Sequence, residues 1–346
     1  MKLNEIYEAI KTRIDQLDFS LLWNDFKPLK FALYNDKECF FDGEYIVKTN
    51  QFLANTAIKY HDEYIAIWHV SNHEIDYDIL AAKIVHEMFH AFQYMHNESR
   101  FPNELEALKK YQYHADYLTK KIEENKLINH LISHFDLDQF NHFLHLRKDR
   151  MVNHPFEFAY DSAIEQIEGS ANYVELETLR QLSTDKFQKA LDEKQKEIVN
   201  IHKQIPVRIV CYAIGALLLY VVKKHTDIDV DGFSNKTFAS MMLENVEHSS
   251  VNIKQDEEVE KFINDYIDET KRIILKAVGQ NNCVARGKFD IIGVNIFNAR
   301  YDNHHIISYH FVAYKNKEEE VILYGDYVIR IDDDWHIESI YKLTDQ

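Results

Sequence analysis

The chain has 346 residues, 46% of them hydrophobic and 28% charged, and carries a net charge of −17. That acidity argues against nucleic acid and anionic membrane surfaces as default partners, and the apolar content excludes disorder as a description of the whole. With 8 glycines and 4 prolines, the composition predicts long helices joined by few tight turns.

Residues 1–8 mix charge into an amphipathic first helix and lack the apolar stretch of a secretion signal. Cys39, Cys211 and Cys283 are widely spaced and form neither a disulfide framework nor a CxxC pair, so the expected compartment is a reducing cytoplasm. Two β-branched and aromatic runs, residues 31–34 and 64–70, predict strands of a small sheet. The second leads through residues 71–74 into a helix.

That helix spans residues 76–97, with Asp76 or Asp78 as N-cap and no glycine or proline before Asn97. It contains His86-Glu87-Met88-Phe89-His90, an HExxH. Histidines four apart lie about 40° from each other round a helix, so both rings can bind one zinc, and Glu87, about 100° from His86, reaches a water on it. Leu80, Ile84, Val85, Met88, Phe89 and Phe92 make the helix apolar nearly all round. Ionisable side chains buried among such neighbours need partners, which a metal ion supplies.

Two residues compete to be the third ligand. His96 follows His90 by six positions, but Gln93 stands where a helix-breaking glycine is needed. On a continuous helix His96 falls about 240° from His90. The favoured candidate is Glu168, on a helix predicted over 156–182, with Glu165 next. It borders a polar stripe of Asp161, Glu165, Asn172 and Glu175 and an apolar stripe of Ile164, Ile167, Ala171 and Val174. Without a metal, the polar stripe reads as a solvated face. Gly169 costs about 1 kcal/mol inside a helix, a cost that a close backbone approach explains.

His130, His134, His142 and His145 sit among Lys, Glu and Asp and read as solvated helix faces rather than a second metal site. Residues 209–222 form the longest apolar run, shorter than the about 20 residues of a membrane span, and predict a buried core helix begun by Pro206. A helix over 257–277 either closes the main domain or packs on the C-terminal strands. Beyond about residue 280, β-rich runs at 289–294, 306–312, 321–324 and 335–340 predict a small antiparallel meander.

HExxH on a buried helix behind a strand, followed on a later helix by Glu168-Gly169-Ser170-Ala171-Asn172-Tyr173, resembles the gluzincin branch of zinc metallopeptidases. The resemblance implies Zn²⁺ held by His86, His90 and Glu168, and Glu87 as the general base in hydrolysis of a peptide or protein substrate. It implies that the strand at 64–70 is the sheet edge along which substrate extends. It also places Asn172 where some members carry an acidic residue that orients a ligand. Tyr212-Ala213-Ile214-Gly215 is similar to a Tyr-x-x-Gly that begins a late helix in several members, although a tyrosine on so apolar a helix reads first as core. The long separation of His90 from Glu168 implies a helical insertion.

The expected fold is α+β, predominantly helical. A zincin-like domain over 1–280, with a small N-terminal sheet and a helical bundle, precedes a small antiparallel β region over 281–346. The rival function is a catalytically inactive zincin-like binding or regulatory protein acting through that C-terminal region.

Overall fold

The computed structural model describes residues 2–71 and 74–343. Of the predicted connection at 71–74, Asn72 and His73 lie outside the described residues, as does Met1 of the predicted first helix. Helix α1 (Leu3–Ile14) precedes five strands: β1 (Phe31–Tyr34), β2 (Cys39–Phe41), β3 (Glu44–Ile46), β4 (Thr56–Tyr60) and β5 (Glu63–His69). They form one sheet in the order β3-β2-β1-β5-β4, with β1 and β5 parallel and the other pairs antiparallel.

The expected edge strand is therefore not at the edge. β5 lies between β1 and β4, and β4 is the edge on that side, antiparallel to β5 and paired from Thr56–Ile67 to Tyr60–Glu63. The hairpin that adds β4 turns on His61 and Asp62, both at positive φ (46° and 66°). Asn303 and His304 do the same at 40° and 63°. Tight hairpins are thus built from Asp, Asn and His, which tolerate the left-handed region, and scarce glycine did not mean few of them. β2 and β3 turn on Asp42-Gly43, an ordinary hairpin signal.

The helices come next: α2 (Tyr77–Met95), α3 (Glu104–Lys110), α4 (Ala115–Ser133), α5 (Leu137–Asn153), α6 (Pro155–Ile164), a π turn over Glu165–Gly169, α7 (Ser170–Leu182), α8 (Thr184–Val199), α9 (Val207–His225), α10 (Phe238–Met242) and α11 (Glu257–Gln280). The main core packs α1 and α2 against the sheet, α7 on α2 and α9 on α7, with Ile10, Leu33, Val85, Phe89, Val174 and Leu217 all buried. Among the described residues, no helix is long and apolar enough to cross a membrane.

Seven strands complete the α+β fold: β6 (Cys283–Val294), β7 (Arg300–Asp302), β8 (His305–Ser308), β9 (Phe311–Asn316), β10 (Glu319–Tyr324), β11 (Tyr327–Ile331) and β12 (His336–Lys342). The sheet is antiparallel, but its order, β10-β9-β6-β12-β11-β8-β7, is not a meander, because long β6 pairs with both β9 and β12. The run at 306–312, predicted as one strand, is two, broken at His310 (φ 74°). Helix α11 serves both neighbours. Val259 and Ile263 pack on Leu118 and Ile122 of α4, whereas Ile274 and Ala277 pack on Ile307 and Val328 of the sheet.

Candidate metal centre

Helix α2 starts where the sequence places it: Asp76 Oδ1 accepts from the N–H groups of Asp78 (3.0 Å) and Ile79 (3.2 Å). Its C-terminal half carries His86, Glu87 and His90 on the face turned toward the π turn and α7. The π turn itself is explained by two glycines. A Cβ on Gly169 would fall 2.6 Å from Gly215 Cα, and one on Gly215 would fall 2.6 Å from the Glu165 carbonyl oxygen. Glycine at both positions lets the turn lie directly on α9, the close approach expected of Gly169. A π turn adds one residue to a helical turn and commonly marks a functional position; here it carries Glu168.

His86 Nε2 and His90 Nε2 face each other at 3.1 Å, and Glu168 Oε2 lies 3.4 Å from His90 Nε2. One ligating atom from each of the three residues lies within 4.8 Å of the others. Tetrahedral zinc with N and O ligands at about 2.0–2.1 Å sets neighbouring ligand atoms about 3.3 Å apart. Each outward ring nitrogen has an oxygen of a neighbouring side chain close to it. Gln93, buried, donates through Nε2 to the Ile167 carbonyl (3.0 Å), so its Oε1 accepts from His90 Nδ1 at 2.8 Å. Glu175 Oε2 lies 3.2 Å from His86 Nδ1. The Gln93 hydrogen bond favours the proton on Nδ1 of a neutral His90 and turns its Nε2 lone pair inward, and the Glu175 carboxylate beside His86 Nδ1, without a hydrogen bond, favours the same tautomer there. With both rings neutral, two lone pairs and a carboxylate oxygen converge, a donor set that fits a divalent metal.

The electrostatics agree. Burial works to raise the Glu168 carboxyl, but His90, Arg208 and His86 outweigh it and hold the group at about 2. Burial works to lower His90, yet Glu168 and Glu87 raise it to about 9, so the metal-free site holds a proton where a cation would sit. Glu87, shielded from water, is raised above the ordinary carboxylate range by burial against the opposing pull of His86 and His90.

Arg208 Nη2 donates to Glu168 Oε1 at 2.9 Å, leaving Oε2 for the histidines. Its other amino group pairs with Glu104, which also accepts from the Tyr160 hydroxyl at 2.6 Å. Tyr212 belongs to this site as well as to the core of α9. The Arg208 guanidinium lies 5.4 Å from its ring centroid, and burial together with Glu168 raises its hydroxyl. Behind Arg208 is a cavity of about 330 Å³, lined by Glu104, Tyr160 and Arg208 on one side and Tyr266, Arg300 and Tyr301 on the other.

Several predicted residues are elsewhere. Asn172 orients no histidine: its Nδ2 donates to the Glu168 carbonyl (3.1 Å) and its Oδ1 accepts from Lys194 (2.5 Å). The carboxylate beside a histidine ring is instead Glu175, two turns beyond Glu168 and about 20° from it round the helix, a spacing visible in the sequence. Glu165 is fully buried and paired with Arg147, and Asp161 accepts from Lys121 at 2.6 Å, so this stripe is not solvated. His96 stacks on Phe233 with ring centroids 4.7 Å apart, away from His86 and His90. Sequence reasoning missed Gln93, Arg208 and Glu104; the first two stand at helical spacing from His90 and Tyr212.

Two other groupings exist among the described residues. His114, His154 and Glu157 meet at the starts of α4 and α6, where His154 Nε2 faces Asp116 at 2.8 Å and Glu157 accepts from the Gln112 N–H at 3.2 Å. Helix N-termini favour those carboxylates and oppose a cation. Asp332, Asp334 and His336 form a turn closed by its own backbone N–H groups. His130, His134, His142 and His145 join no such group. The chain matches no family model, no curated protein and no solved structure.

Proposed function

We propose that this chain is a zinc-dependent peptidase of gluzincin type. What carries the reading is the convergence of His86 Nε2, His90 Nε2 and Glu168 Oε2, with His90 anchored from behind by Gln93 and the Glu175 carboxylate 3.2 Å from His86 Nδ1. His86, His90 and Glu168 would hold Zn²⁺, which when bound lowers the pKa of a water ligand to about 7 and polarises a carbonyl.

Glu87 is the general base. Its half-buried carboxyl, raised by partial burial, is a stronger base than a solvated glutamate, and it takes the proton of the attacking water and returns it to the leaving amine. Tyr212, beside Glu168, supplies a hydroxyl donor for charge developing on the substrate oxygen. β4, the edge strand of the first sheet on the β5 side, offers unpaired backbone groups to an extended peptide. Tyr64, Tyr94 and Phe101 stack beside it with centroids 5.8 and 5.5 Å apart, a surface for apolar side chains.

Glu87→Gln tests the mechanism. It removes the base and keeps the shape, so zinc content stays at one per chain while cleavage of a peptide library falls by about 10²–10⁴. Undiminished cleavage in that variant refutes the role of Glu87. One bound zinc with no cleavage by the wild type supports the inactive binding protein instead.

A further inference from the structure

The turn between β6 and β7 of the C-terminal sheet brings a side chain against Arg208, the partner of Glu168. After β6 the chain turns on Asn295, whose carbonyl accepts from the Ala299 N–H at 3.0 Å and whose N–H donates to Ser308 Oγ at 3.1 Å. Ser308 in turn donates to the Phe311 carbonyl at 2.6 Å, which ties the turn to β8 and β9. From this anchored turn Phe297 places its ring against Arg208, with the guanidinium carbon 5.4 Å from the ring centroid. Tyr212 lies against the same guanidinium. Phe297 is 48% exposed, whereas Arg208 is 8% exposed, so the ring acts as the outer cover of an otherwise enclosed cation.

A second contact from the same sheet acts on the other partner of Arg208. Leu105 and Leu108 of α3 pack into the sheet core beside Tyr301 and Trp335, and Lys109 lies over the Trp335 ring at 5.6 Å. Glu104, at the start of α3, is thereby held where it pairs with Arg208. A guanidinium covered by an aromatic ring is both attracted to it and kept from water, and a guanidinium kept from water holds its carboxylate in one orientation.

We propose that the C-terminal sheet is a working part of the metal centre: Phe297 is a positioning residue that fixes Arg208, and through it the Glu168 carboxylate. This rests on the zinc reading of His86, His90 and Glu168. Phe297 carries no charge, so its replacement changes the orientation of Glu168 without adding or removing a charge near the metal.

The test is the zinc dissociation constant of the full chain, read by competition with a chromogenic chelator, for wild type and for Phe297→Ala, Phe297→Leu and Phe297→Tyr. The alanine and leucine variants are expected to bind zinc about tenfold more weakly, the low end of the range for residues supporting a ligand. The tyrosine variant, which keeps the ring, binds within twofold of wild type. The leucine variant retains apolar bulk, and its metal-free Tm matches wild type, which separates positioning from folding. Wild-type affinity in both the alanine and leucine variants overturns the positioning role alone. A wild-type chain that takes up no zinc overturns the metal reading and this inference with it.

Discussion

Gly169→Ala is the sharpest test of how the chain builds its site. In a helix interior alanine is favoured over glycine by about 1 kcal/mol, so propensity predicts stabilisation. The structure predicts the opposite, because the new methyl would lie 2.6 Å from Gly215 Cα, 3.0 Å from the Gly215 carbonyl carbon and 3.3 Å from the Ala216 nitrogen. All three are backbone atoms, so no rotamer change relieves them, and the π turn must lift off α9. Overpacking of this kind costs about 3 kcal/mol; set against propensity, about 2 kcal/mol of destabilisation remains. Gly279→Ala, near the end of α11, is the control, since a Cβ there meets nothing within 4 Å. It should stabilise by about 0.5 kcal/mol. Urea unfolding of the metal-free proteins, read by circular dichroism, orders them Gly279→Ala, wild type, Gly169→Ala. Because Glu168 precedes Gly169 in the same turn, the Gly169→Ala chain should also bind zinc more weakly. If Gly169→Ala is as stable as Gly279→Ala, the account of the glycine contact is wrong.

Glu175→Gln removes the charge behind His86 while leaving an acceptor of similar shape. Zinc affinity should fall by about 10–100-fold with little change in metal-free stability, and an unchanged affinity would mean that Glu175 does not orient His86. Zinc binding should also depend on pH with a definite sign. Burial lowers His90, but Glu168 and Glu87 outweigh it, so the metal-free imidazole keeps its proton up to about pH 9, and zinc must displace that proton. Affinity should therefore rise about tenfold per pH unit between pH 6 and 8. Glu168, held at about 2, contributes no dependence in that window. Equal affinities at pH 6 and pH 8 would show that no proton is released.

Much of the site was legible because HExxH, the Asp76 cap and the apolar neighbours all lie within one helix, where spacing alone sets which side chains share a face. Glu168 was legible for a different reason: a glycine in a helix interior signals a neighbouring backbone, and α9 supplies it at Gly215. The partners of these residues were harder to see. Periodicity marks Asp161 and Glu165 as polar, but it says nothing of what they meet. In the fold they meet Lys121 and Arg147, while Arg150 pairs with Glu124 at 2.6 Å, all buried between α4, α5 and α6. A polar stripe facing buried cations has the same sequence pattern as one facing water.

The sequence by itself determined the long helices, their caps, the α+β character and the placing of His86, Glu87 and His90 on one helix, because each arises from interactions a few residues apart. Tertiary structure alone decided that β4 covers β5, that β6 sits inside the second sheet rather than at its start, that Arg208 meets Glu168 and Glu175 lies beside His86, and that Phe297 lies against Arg208. Strand order and contacts between distant helices are settled by how several apolar faces are buried at once, and no local spacing along the chain encodes that choice.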